Sequence, residues 1–191
     1  ANAAFRQNRY TYTNFLSAAD MEVFYSNLEP LSFAGYTIFG GRESCDRVMI
    51  AFGNEADCGY SPAFPICTMK VSAVSDKFSD DLNHRDFLGA LMNLGIEREM
   101  VGDILVTEST HSGKHNNAYI FCVDTVADYI AENLTKIRHT NVKCTFCSTQ
   151  DTYEIQIKKE PLHIIAASAR ADAVTATITG LSRSSTSLLF R

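Results

Sequence analysis

Four clusters in the sequence carry side chains with chemical potential: His84-Arg-Asp86, His111-Ser-Gly-Lys-His115, Cys144-Thr-Phe-Cys147 and the run from Ser168 to Arg191. The first has the residue order of a protein-kinase catalytic loop. The asparagine, glycine-rich loop, strand lysine and metal-binding Asp-Phe-Gly that this chemistry needs are all missing, so phosphoryl transfer is excluded. Asn83 or Asp86 instead suits a helix start, where capping and acidic groups are favoured, which leaves His84 and Arg85 exposed and free to meet a ligand. The two histidines of the second cluster flank Gly113 in a polar loop and lack a glutamate partner, so a solvated turn is expected. The flanks of Cys144 and Cys147 alternate as a strand does. Positions three apart then face opposite ways, and buried structural thiols are expected, although Cys122 or His139 could assist a metal. With no phosphate-binding loop, nucleophile elbow or convincing carboxylate pair, neither catalysis nor a cofactor is expected.

The fourth cluster parses as two short helices around a corner. Ser168 can cap a helix over 169–179, and Gly180 can stop it. Ser182 can cap a second helix from Arg183, with Leu188, Leu189 and Phe190 facing a core. Free N–H groups and partial positive charge at a helix start make a phosphate seat, here with Arg170, Ser182, Arg183 and Ser184 around it. An ordinary corner with serine caps would look the same.

The elements that must position these clusters follow from periodicity. Residues 5–9 read as a loose lead-in and 10–15 as extended. Ser17 caps a helix over 18–28, with Met21, Phe24, Tyr25 and Leu28 at helical spacing. Strands are expected at 36–39, 48–52 and 65–74, which together make a ferredoxin-like or RNA-recognition-like unit. After a seam at 77–81, an amphipathic helix over 83–94 is closed by Gly95. Strands follow at 104–107 and 118–123, then a helix over 126–134 capped by Asp124 or Thr125, then strands at 142–148 and 153–158. Residues 162–166 extend toward the terminal helices. This order predicts an α+β fold: a unit over 1–78, a second α+β unit over 79–166, and two terminal helices over 167–191.

Charge divides the chain. Residues 134–191 hold 8 Lys and Arg against 4 Asp and Glu, whereas residues 1–133 hold 9 against 18, for a net −5 overall. A basic end on an acidic body suits phosphate contact at one end only, including Lys136, Arg138, Lys143, Lys158 and Lys159. No apolar run approaches a membrane span, and the start has no signal-peptide shape. Six scattered cysteines fit reduced thiols, so a cytoplasmic setting is expected.

Arg170-x-Asp172 followed by Gly180-Leu-Ser-Arg-Ser184 resembles the opening of the alpha-L RNA-binding motif, the type named from ribosomal protein S-four. The wider chain resembles the YlmH family of bacterial RNA-binding proteins. The stretch from His84 to Val106 is the most specific part of that resemblance, supported by Phe39-Gly-Gly41 and by Tyr129-Ile-x-x-Asn-Leu-Thr-Lys136. Two departures stand out. Ser185 replaces the lysine usual after Leu-Ser-Arg-Ser, and the motif would ordinarily continue past Arg191, so the RNA surface within this sequence is expected to be incomplete.

The resemblance implies a non-enzymatic protein that binds structured RNA at the ribosome, in the handling of stalled large subunits carrying peptidyl-tRNA. The expected contacts are Arg170, Ser182, Arg183, Ser184, Arg191, Lys136, Arg138, Lys158 and Lys159, with His84 and Arg85 as a second surface. The basic segment has no interleaved aromatics, so direct base reading is not indicated. The rival expectation is a protein-interaction adaptor of bacterial cell division, binding through the acidic front two-thirds. An RNA-modifying enzyme is disfavoured by the missing catalytic residues.

Overall fold

The computed structural model describes residues 1–109, 113–153, 163–182 and 185–186. The chain divides into two compact units, Ala1–Ile155 and Gln156–Arg191. The fold is α+β, as the sequence predicts.

Two antiparallel sheets build the first unit. The smaller has the order β1 (Thr11–Tyr12), β3 (Met49–Phe52), β2 (Tyr36–Phe39). Helix α2 (Ala18–Ser26) starts at a full capping box, in which Asp20 N–H donates to Ser17 Oγ and Ser17 N–H donates back to the Asp20 carboxylate. Met21 and Phe24 of this helix bury against Ile50, with Phe52 and Ile38 beside them. The expected loose lead-in is instead a short helix, α1 (Asn2–Gln7), ended by Asn8 in the left-handed region at φ 46°. No side chain caps it, so neither the usual start signal nor a glycine stop is present to be read.

The larger sheet has the order β5 (Val101–Glu108), β6 (His115–Val123), β4 (Ile66–Ala73), β8 (Thr140–Phe146), β7 (Lys136–Ile137). The strand at 66–73 was expected beside the first two strands. It is instead the centre of this second sheet, paired with β6 on one side and β8 on the other. Its apolar residues are satisfied by either partner, and its sequence alone does not choose. A four-residue helix, α3 (Glu55–Cys58), lies in the loop that carries the chain across.

Helices α4 (His84–Asn93) and α5 (Asp124–Asn133) cover one face of the larger sheet. Phe87 and Leu91 of α4 and Ile130 of α5 are fully buried against Met69, Val71 and Ile120. Each large side chain so placed contributes roughly 1.5–3 kcal/mol relative to exposure. The smaller sheet packs on part of the opposite face, where Phe15 and Met49 meet Phe121 and Val123. Two glycines permit this approach. A Cβ on Gly102 would sit 2.6 Å from the Phe15 ring, and one on Gly41 (φ 104°) would sit 2.5 Å from Phe121. Arg47 ties the same seam, donating from Nη2 to the Phe15 carbonyl at 2.8 Å and from Nε to the Val101 carbonyl at 3.0 Å.

In the second unit α6 (Ala171–Thr179) forms over most of the expected range, but its N-cap is Arg170 rather than Ser168, and no side chain bonds the helix start. Gly180 ends it at φ 69°, donating its N–H to the Ala176 carbonyl. Ser182 then caps a helical turn, since Ser185 N–H donates to its Oγ at 3.1 Å and Thr186 N–H to its carbonyl at 2.9 Å. The strand expected at 153–158 falls almost wholly outside the described residues, and 163–166 have no regular structure.

Candidate nucleic-acid interface

A groove of about 460 Å³ runs between α4 and the turn from the end of α5 into β7. Arg85, Gly89 and Asn93 line it from the helix, and Asn133, Lys136 and Arg138 from the other wall. Each wall is fixed by local chemistry. Asn83 Oδ1 accepts from the N–H groups of Arg85 at 2.8 Å and Asp86 at 3.3 Å, while Asn83 N–H donates to Asp86 Oδ2 at 2.9 Å. This reciprocal cap anchors the first turn and aims Arg85 outward. At the helix interior Gly89 leaves open space, with nothing within 4 Å of a built Cβ.

The opposite wall ends in a two-residue hairpin turn, since Ile137 pairs with Thr140. Arg138 occupies the first turn position at φ 52°, a conformation usually given to Gly, Asn or Asp. Asp80 holds this turn in place. Its Oδ2 accepts from His139 N–H at 2.9 Å and from the Thr140 hydroxyl at 3.2 Å, and its own N–H donates to Thr140 Oγ1 at 2.7 Å. The backbone N–H of His139 is the main reason the Asp80 carboxyl lies below its ordinary value, with the Thr140 hydroxyl adding to it. Across the groove, Arg138 Nη1 stands 3.8 Å from Asp86 Oδ2. That pair is long and half exposed, so it costs little to open.

The structure therefore brings Arg85 together with Lys136 and Arg138, which the sequence placed on different surfaces. All three are exposed. His84 leaves that company and lines a separate, more apolar hollow with Ile104, Val106 and His115. The His115 ring is held between Asp81 at 3.1 Å and Glu108 at 3.2 Å. Gly89, Asn93, Asn133 and Thr135 fall in the stretches that carry the family resemblance, but the sequence did not mark them as contacts. A glycine inside an amphipathic helix was the one available signal.

In the second unit Arg170 is exposed and its Nε donates to Asp172 Oδ1 at 3.0 Å. Ser182 serves as a cap. Arg183, Ser184, Arg191, Lys158 and Lys159 lie outside the described residues.

The cysteine cluster bonds within the fold, and His111 and Ser112 lie outside the described residues. Cys144 reaches the Leu134 carbonyl and Cys147 the Thr68 carbonyl, each at 3.7 Å. Burial pushes the Cys144 thiol up to about 11, far from a reactive thiolate. Among the described residues no group of three or more His, Cys, Asp or Glu could hold a metal ion, and no helix is long and apolar enough to cross a membrane.

A small α+β protein with a basic groove between a capped helix and a pinned hairpin is the class these observations define. Residues 62–151, which contain both walls of the groove, match the family model described as "Putative RNA-binding domain in YlmH". The resemblance to the YlmH family is thereby borne out, with residues 62–151 as the segment that the family model matches. The chain is 27% identical over 185 residues to the "Ribosome-associated protein quality control protein P2" of Bacillus subtilis (strain 168), across 97% of this chain and 68% of that protein. It also shares its fold with the "Cell division protein ylmH from Streptococcus pneumoniae", at a TM-score of 0.61 and 17% identity, over 78% of this chain and 86% of that one.

Proposed function

We propose that this protein binds structured RNA through its phosphates, acts by binding rather than by catalysis, and does so on the ribosome. One observation carries the reading: Arg85, far in sequence from Lys136 and Arg138, converges with them on a single groove inside the segment that the YlmH model matches. Three cations face one carboxylate there, and none of the described lining residues is aromatic. Such a surface suits a folded backbone and offers no aromatic platform for bases. The ribosome-associated relative supports the setting; a cytoplasmic location and stalled large subunits carrying peptidyl-tRNA as the target belong to the proposal.

The second unit adds a phosphate seat of the alpha-L type. Gly180 and the Ser182 cap support it, and Arg170 would exchange its Asp172 partner for a phosphate. Arg183, Ser184 and Arg191 would extend that seat, with Lys158 and Lys159 on the approach.

The test is binding of a fully paired RNA hairpin across a salt series, followed by fluorescence anisotropy. Replacing Arg85, Lys136 and Arg138 by Ala should flatten the dependence of log K on log salt by roughly two to three units, about one per lost phosphate contact. An unchanged slope would remove RNA from the groove. Salt-insensitive capture of a protein, lost on changes to the acidic front of the chain, would favour the adaptor instead.

A further inference from the structure

Among the described residues, the face of the larger sheet opposite α4 and α5 is only partly covered. Alternation along the strands puts Phe121 and Val123 at the covered end, beneath Phe15, Met49 and Phe64. Beyond them the register lines up Leu105, Tyr119, Lys70 and Thr145 across four strands. The next row is Thr107, Asn117, Ser72 and Lys143. Lys143 and Thr145 are exposed, and Tyr119, Lys70, Asn117 and Ser72 are half-buried. Neither row contains a carboxylate. The Lys70 ammonium lies over the Tyr119 ring, 5.5 Å from its centroid and within cation–π range, so a base stacking there takes the place of this contact.

We propose that this open half-face binds unpaired nucleotides of RNA, with a base stacked on Tyr119 and adjoining phosphates on Lys70 and Lys143. This rests on the RNA reading above but concerns a different surface and a different state of the RNA. A sheet face offers a flat platform on which an unstacked base can lie, and every base has a π-face to present. The two lysines stand on a cross-strand diagonal, about 7–8 Å apart at the backbone, so their flexible stems can reach successive phosphates. Asn117, Ser72 and Thr107 supply donors and acceptors for base edges or a ribose 2′-hydroxyl. The absence of aromatics from the basic sequence segment does not bear on this site, because its ring and its charges come from three different strands.

The experiment measures anisotropy of an eight-residue oligouridylate and of a fully paired hairpin, each with wild type, Tyr119→Ala, Tyr119→Phe and Lys70→Gln/Lys143→Gln. The expected result is that Tyr119→Ala weakens oligouridylate binding about tenfold, within the range for one base stack. Tyr119→Phe should retain binding, the lysine pair should lower both affinity and salt slope, and hairpin binding should hold throughout. The Phe variant and the lysine pair, with Lys143 exposed and Lys70 half-buried, keep the test valid if Tyr119→Ala melts early. Oligouridylate bound equally by all variants, or not bound while the hairpin is, overturns this site and leaves the groove standing. Failure of both RNAs to bind overturns both.

Discussion

The groove and the open sheet face are both basic, yet they differ in what surrounds the charge. In the groove, Arg85, Lys136 and Arg138 stand at a helix start and a hairpin turn, among amides and aliphatic groups. On the sheet, Lys70 and Lys143 flank a tyrosine ring on a flat surface. Charge without a ring suits a backbone, whereas charge beside a ring also offers an aromatic surface on which a base can stack. The net charge of a segment therefore says that phosphates are welcome, and the neighbouring side chains decide which form of nucleic acid brings them.

The comparison can be broken most severely through the core. Leu91 is fully buried and seats α4, one wall of the groove, against the sheet. Leu91→Ala should cost about 2–5 kcal/mol in urea unfolding, and the folded remainder should lose paired-RNA affinity before single-strand affinity. A loss under 1 kcal/mol would mean that the helix is not seated as described. Reversing charge is the next largest change. Lys136→Glu with Arg138→Glu should weaken hairpin binding roughly a hundredfold at low salt while leaving oligouridylate within a few-fold. Equal losses for both RNAs would merge the two surfaces into one.

Much of the groove was legible in sequence, and the rest was hidden for identifiable reasons. Asn83 and Asp86 announced the helix start because capping is a local interaction between residues three apart. Ser17 announced α2 in the same way. By contrast, β7 is two residues long, too short for any period to show, and without it Lys136 and Arg138 could not be set opposite Arg85. The strand at 66–73 was recognised but given the wrong partners, because pairing is a long-range choice. The Ser168 cap failed for a smaller reason: the chain turned helical two residues later, at Ala171.

Two gentler changes sharpen the account. Gly89→Ala meets open space on the groove side of α4, so it should raise stability by about 0.5–1 kcal/mol, seen as a higher melting temperature, with hairpin affinity within twofold of wild type. A destabilised variant would show that the position is crowded. The smallest effect concerns pH. The folded-state pKa of Asp80 lies below its ordinary value of 3.8, chiefly through the His139 N–H. The stability that Asp80 gives is complete above that ordinary value and disappears as pH falls through the lower folded one. Asp80→Ala should therefore melt earlier than wild type at neutral pH, with the gap closing under acid conditions. A gap that stays constant with pH would assign its role to packing.

The central claim is that paired RNA lies in the groove between α4 and the β7–β8 hairpin. Amide chemical shifts of the wild-type protein on addition of a paired RNA hairpin test it most directly. Shifts concentrated at residues 85–93 and 133–139 are the predicted result. Shifts confined to the smaller sheet, with both groove walls silent, would contradict it.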